Sequence, residues 1–271
     1  MKMKKFLVVL IAFAMLLCIF SCGNTEDIGN GNESDSSAVS DSETVAESSV
    51  ADDVSCPYTY EIKEEIIVVH ETEDGRRSTK VLRYPELFGM EDAALMENVN
   101  SLFREVAEKQ FKRNVPDVDI YIIEDTVFNY EVSEVEVVLL SNSFVSVKNT
   151  VYSMSSNAAY PNCPVYTVNV DLKTGEIVEE EDIISDFNLI SSAFLAGDFT
   201  MVRGADDLLE NTNYEDMILQ YKSDYASYPE LYFTPDSLGM CIDLVSALGS
   251  NACFEIAIDA ISDALITDPT K

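Results

Sequence analysis

Between Gly23 and Ser55 the chain contains no lysine, arginine or aromatic residue; it is built from Ser, Glu, Asp, Asn and Gly with scattered small apolar residues. Such a stretch cannot bury enough apolar surface to offset its ordering entropy, so it is expected to stay disordered. As a random coil its 33 residues would span roughly 30 Å root-mean-square, and like-charge repulsion extends it further. Its expected role is that of a tether. Core formation is thereby confined to the residues from Cys56 onward.

The residues before this stretch have a different character. Lys2, Lys4 and Lys5 precede an unbroken apolar run, Phe6 to Phe20, which leads into Ser21-Cys22-Gly23-Asn24. That is the basic, apolar, small-residue order of a signal peptide. The run of fifteen residues would make a helix of about 22 Å, short of the ~30 Å hydrocarbon core that a spanning helix must cross. Ile19-Phe20-Ser21-Cys22 resembles the lipobox of bacterial lipoproteins, where cleavage precedes a cysteine whose thiol carries diacylglycerol. The resemblance implies a signal peptide over residues 1–21, lipid attachment at Cys22 and a tethered segment over 22–55. It places the protein, exported and lipid-anchored, on the outer face of the cytoplasmic membrane.

Charge narrows the partners. The chain holds 49 acidic and 17 basic residues, a net charge of −32. Loss of the three leader lysines would take it to −35. Nine acids and three basic residues lie before Cys56, which leaves 40 acids against 14 basic residues, or −26, in the part able to fold. So negative a surface argues against nucleic acid or an anionic lipid face as a ligand, and it permits a cationic protein.

Patterning from Cys56 onward predicts an α+β fold with largely antiparallel sheets. Tyr58–Glu71 and Ser78–Tyr84 are β-rich runs joined by Glu73-Asp74-Gly75-Arg76, a hairpin signal. Next comes a long helix, with Leu95, Val99, Leu102, Phe103 and Val106 following three- and four-residue steps and Phe111 outlying, Asp92 as N-cap and Pro116 beyond its end. Its apolar stripe should cover one face of the sheet. Strands are expected from Ile120 to Val178, turning at Ser141-Asn142 and at Lys173-Thr174-Gly175. Two shorter helices should follow. Ser185 or Asp186 would cap Phe187–Leu195, and Thr212 with Glu215 forms a capping-box pattern. Leu231–Phe233, Met240–Val245 and Phe254–Ile258 read as closing strands.

No catalytic constellation emerges from the residues, and no cofactor or metal site is implied. His70 is the single histidine, and it sits in an apolar strand, where packing or surface exposure is the commoner role. Glu179-Glu180-Glu181-Asp182 could pair carboxylates, but acids at a helix start are what the helix dipole favours. Asp117-Val118-Asp119 opens like a calcium loop but lacks the turn glycine and the later ligand. Cys56, Cys163, Cys241 and Cys253 allow three pairings. In the C-terminal hairpin, Cys241 and Cys253 alternate with the apolar residues and so fall on the polar face, where a bridge and free thiols both stay open. The segment Asn157 to Tyr166 spends two tyrosines, two prolines and a cysteine on one connection. That composition suits a shaped contact surface, with Tyr160, Pro161, Asn162 and Tyr166 as partner-binding residues; it equally suits a rigid loop packed on its own sheet.

Tyr84-Pro85-Glu86-Leu87, with the helix containing Asn98-Val99-Asn100, resembles the first half of the extracellular region of RsiV-type anti-sigma factors. The same module precedes the catalytic domain of PdaC-type peptidoglycan deacetylases. Ala159-Tyr160-Pro161-Asn162, the run Tyr166 to Gly175, and Phe233-Thr234-Pro235-Asp236 resemble the second half. Where that family carries Gly-Gly before the loop, this chain has Asn157-Ala158. The resemblance implies two halves, 56–155 and 156–271, and a non-catalytic domain that captures lysozyme or another cationic wall-lytic protein. The alternative is a module that binds peptidoglycan or glycan without catalysis. Neither the deacetylase activity nor anti-sigma signalling is carried over.

Overall fold

The Asp74-Gly75 turn joins two long strands, β1 (Thr59–Glu71) and β2 (Arg77–Phe88), in antiparallel register. The structure is a computed structural model that describes residues 56–123, 126–204, 216, 218 and 229–266, all within one compact unit that begins at Asp52. Residues 1–55, with Cys22, lie outside the described residues, as does the pattern at Thr212 and Glu215.

Helix α1 (Ala93–Asn114) begins where Asp92 accepts hydrogen bonds from the amides of Ala94 and Leu95, both at 3.0 Å. Lys112 and Arg113 occupy its last turn, where cations favour the helix dipole. Its apolar face lies across the first sheet. Val99 and Phe103 pack with Leu87, Val145, Val147 and Val170, while Ala107 and Phe111 pack with Leu82, Tyr130 and Val151.

The expected strand at Ile120 is instead a short helix, α2 (Val118–Ile123). The Asp117 carbonyl accepts from the amide of Ile120 at 3.0 Å and from that of Tyr121 at 3.3 Å, which starts a helical turn just after Pro116. A short apolar run has no period long enough to tell strand from helix. Together α1 and α2 bring the chain back so that β3 (Phe128–Leu140) runs parallel to β2. β4 (Phe144–Ser155), β5 (Val165–Asp171) and β6 (Glu176–Ile177) then add antiparallel neighbours, giving the sheet order β1-β2-β3-β4-β5-β6. The turn before β6 needs Gly175, whose φ is +74°; a Cβ there would also lie 2.6 Å from Leu95 Cδ1. A division at residue 155 or 156 runs between β4 and β5, which pair from Phe144 to Thr150.

The acidic run forms the first turn of a four-residue helix, α3 (Glu180–Ile183), and Asp186 caps α4 (Phe187–Ala196). A second sheet, in the order β7-β10-β9-β8, is wholly antiparallel among its described strands. It comprises β7 (Thr200–Arg203), which the sequence pattern did not reveal, with β8 (Glu230–Phe233), β9 (Ser237–Asp243) and β10 (Asn251–Ala257). On one of its faces Leu231, Phe233, Met240, Ile242 and Phe254 form a core with Phe187 and Ile190 of α4 and with Phe144 of the first sheet.

Its other face corrects the sequence reading. Cys241 and Cys253 are opposite each other in register, 4.0 Å apart at Cα, and joined by a disulfide. They are buried with Val165 and Tyr232 rather than placed on a polar face, because the first sheet covers them. A buried polar link joins the sheets at the same place. The Ser146 hydroxyl donates to Asn169 Oδ1 at 2.7 Å and accepts from the Phe233 amide, while Asn169 Nδ2 donates to the Leu231 carbonyl. No helix among the described residues is long and apolar enough to cross a membrane.

Candidate functional site

Residues 156–164 run from β4 to β5 without regular structure, yet their path is fixed at several points. Asn162 and Ser153 exchange backbone hydrogen bonds, each amide donating to the other's carbonyl at 2.8 Å. The Ala158 amide donates to the Ser155 carbonyl at 3.0 Å. On the far side the Cys163 amide donates to the Ser250 hydroxyl at 2.8 Å, and the Asn251 side chain donates to the Cys163 carbonyl. The loop is therefore clamped between its own sheet and the β9–β10 connection, and a group it presents loses little freedom on binding.

At its outer turn Tyr160 is 60 % exposed, Pro161 is half-buried and Asn162 is exposed. Tyr166 is placed differently. Its ring is 7 % exposed and packs beneath α1 in the core shared by Leu82, Phe111 and Tyr130. The Arg113 guanidinium lies 4.9 Å above the ring, and Asn114 Nδ2 donates to the hydroxyl at 3.0 Å. The surface expected of four residues thus divides: Tyr160, Pro161 and Asn162 face outward, while Tyr166 supports the helix end behind them. Its position on the helix-facing side of β5 is the reason.

Between the loop, the C-terminal end of α1 and the β9–β10 turn is an open groove of about 270 Å³, lined by Arg113, Asn114, Asn162, Tyr166, Asp243 and Ser250 among others. Asn162 bridges its walls: Nδ2 donates to Asn114 Oδ1 at 3.3 Å, and Oδ1 accepts from the Ser246 hydroxyl at 3.5 Å. Behind Arg113 stands Glu230, at 3.4 Å. The other oxygen of Glu230 accepts from the Thr167 amide at 2.9 Å and from its hydroxyl at 3.1 Å. Burial pushes the Glu230 carboxyl up to about 7, against the opposing pull of the Thr167 amide and Arg113. The groove therefore presents a guanidinium, a carboxylate and several amide and hydroxyl groups, which suits hydrogen-bonded contact with a polar surface.

Elsewhere the chemistry-bearing residues are scattered. His70 lies beside a bulge in β1. Burial raises the Cys163 thiol, the opposite of what activates a nucleophile. Among the described residues no cluster of three or more His, Cys, Asp or Glu side chains could hold a metal ion. Arg113, Asn114, Asp243 and Glu230 were not legible as site residues. The basic last turn of α1 was a signal for Arg113, but which strands it would meet depends on contacts between distant parts of the chain.

No protein-family model matches the chain, and no curated protein matches it. Comparison with solved structures gives a likeness in fold. A DUF3298-family protein from Pseudomonas aeruginosa PAO1 is 10 % identical with a TM-score of 0.48, over 79 % of this chain and 96 % of that one. A crystal structure of a DUF3298-family member from Bacteroides fragilis NCTC 9343 is 13 % identical with a TM-score of 0.53, over 78 % of this chain and 95 % of that one. At that identity the likeness is one of fold: the folded unit has the architecture of this DUF3298-family protein.

Proposed function

We propose that the chain is a lipid-anchored surface protein whose folded unit binds a cationic protein without catalysis, lysozyme or a similar wall-lytic enzyme being the candidate partner. One observation carries the reading: a loop clamped on both sides presents Tyr160 at 60 % exposure beside a polar groove. The charge of the folded part, −26, would draw a cationic partner, but only within a screening length of about 8 Å at physiological salt. Charge alone gives loose attraction; specificity falls to the pinned loop. The RsiV-type motifs support lysozyme as the first probe, and the lipobox at Cys22 supports the anchor.

The test is titration calorimetry of residues 52–271 with lysozyme at low and at high salt, repeated with Tyr160→Ala. Affinity is expected to fall with salt without vanishing, and the substitution should weaken it by roughly tenfold, as removal of an anchoring aromatic does. Binding that vanishes at moderate salt and ignores Tyr160→Ala would reduce the effect to nonspecific attraction, and no binding at low salt would end the reading. The anchor is checked separately, by loss of Cys22→Ser from the membrane fraction. The groove favours a second reading, a peptidoglycan or glycan module, because Asn114, Asn162 and Asp243 offer the hydrogen bonds that hydroxyl groups need. Glycan binding would be insensitive to salt.

A further inference from the structure

Strand β1 is the outer edge of the six-stranded sheet, and only β2 pairs with it among the described residues. It is 13 residues long and contains no proline. On one of its faces Tyr60, Ile62, Ile66 and Val68 are 39, 41, 66 and 49 % exposed. An edge of this length and apolarity is a template for another strand.

We propose that the occupant is a second copy of the same strand, paired antiparallel about a two-fold axis at Glu64 so that the two sheets become one. The register of the strand favours this pairing. With the axis on Glu64, Ile62 of each copy opposes Ile66 of the other, Tyr60 opposes Val68, and Lys63 opposes Glu65, with a single mismatch of Glu61 against Ile67. Residues opposed in this way share a face, so the exposed apolar side chains form two matched patches across the junction, one on each side of the central Glu64 pair. The two Glu64 side chains that meet at the axis do not meet as bare charges. Each is held at 2.7 Å by Arg83, which also pairs with Glu131. Neighbouring registers fail. An axis on Lys63 opposes two lysines and sets Ile62 against Glu64; an axis on Glu65 sets Ile66 against Glu64 and Ile67 against Lys63. The bulge between Val68 and His70 ends the regular strand just past the last matched pair. An isologous contact of this kind closes on itself and stops at a dimer.

Net charge opposes the contact, so self-association should strengthen as salt rises, the reverse of what capture of a cationic protein would show. The experiment uses the full chain in detergent with Cys56 and Cys163 replaced by serine. Paired strands bring opposed Cα atoms to roughly 4.5–5.5 Å, within reach of a disulfide. Under a mild oxidant Glu64→Cys is expected to give an interchain dimer on its own. Ile62→Cys and Ile66→Cys should each remain monomeric alone and crosslink when mixed. Glu73→Cys, on the exposed hairpin turn, is the control. Sedimentation of the unsubstituted chain should show a dimer fraction that rises with concentration and salt and is lost with Ile66→Lys, a surface change that leaves the fold intact by circular dichroism. Crosslinking of Glu64→Cys no greater than that of Glu73→Cys would overturn the proposal. So would a chain that sediments as a monomer at every concentration and salt.

Discussion

Gly239 is indispensable for a reason that lies across the strand from it. A Cβ built there would sit 2.0 Å from Tyr232 Cζ, and Tyr232 is fully buried, with its hydroxyl donating to Glu255 at 2.8 Å. The ring uses the missing side chain as its seat, so Gly239→Ala must displace either the ring or the backbone of β9. The expected loss is about 2–3 kcal/mol, the scale of an overpacked core, read from urea unfolding of residues 52–271. Glu230 makes a prediction about pH. Its folded carboxyl titrates at about 7 against an ordinary value of 4.5, because burial disfavours its charge. The folded state therefore holds the extra proton between those values. The stability this contributes is complete below about 4.5 and is lost as pH rises through about 7. Glu230→Gln keeps an oxygen for the Thr167 amide and carries no charge, so the fall in unfolding free energy from pH 5 to pH 8 should be shallower than in the unsubstituted protein. An unchanged slope would assign the pH dependence to other groups. At this scale the sequence was a partial guide. Tyr160 and Tyr166 belong to one unusual loop motif, yet one is a surface group and the other a core group. Only the side of β5 that meets α1 separates them, and that is a tertiary fact.

Elements with a strong local signal were legible. The Asp92 cap, the spacing from Leu95 to Phe111 and the Gly175 turn each reflect chemistry within a few residues, and each stands as expected. Removal of the cap by Asp92→Ala should cost about 1 kcal/mol, with loss of helical signal at the start of α1. What failed depended on neighbours. The cysteines of β9 and β10 looked solvent-facing because alternation assigns one face of a hairpin to water; here both faces are covered, and the residues opposite the apolar ones are buried too. The bridge closes a loop of sequence separation 12, so replacing both cysteines by alanine should cost about 2–3 kcal/mol of stability. The same loss should appear when the unsubstituted protein is unfolded under reducing conditions, and the double variant should then show no further change.

At the scale of the whole molecule the two sheets are not two domains. The residues after 155 supply β5 and β6 to the first sheet before they build the second, so β4 would become an edge if the chain were cut there. Val145, Val147 and Val151 of β4 are fully buried, packed with β5 residues as well as α1. The sheets also share Ser146 and Asn169, whose side chains complete each other's hydrogen bonds and those of β8. Removal of either half would strand these buried polar groups, at roughly 1–3 kcal/mol for each group left unpartnered. It would also expose a long apolar strand. Neither residues 52–155 nor residues 156–271 should therefore melt cooperatively alone, whereas residues 52–271 should unfold in a single transition whether followed by far-ultraviolet or near-ultraviolet dichroism. Because β4 and β5 pair over seven register positions, Phe144 to Thr150, the two pieces mixed together should recover part of the native signal. A cooperative melt of residues 52–155 alone would show that α1 and four strands suffice for a core, and the shared network between the sheets would then be an addition to a finished domain.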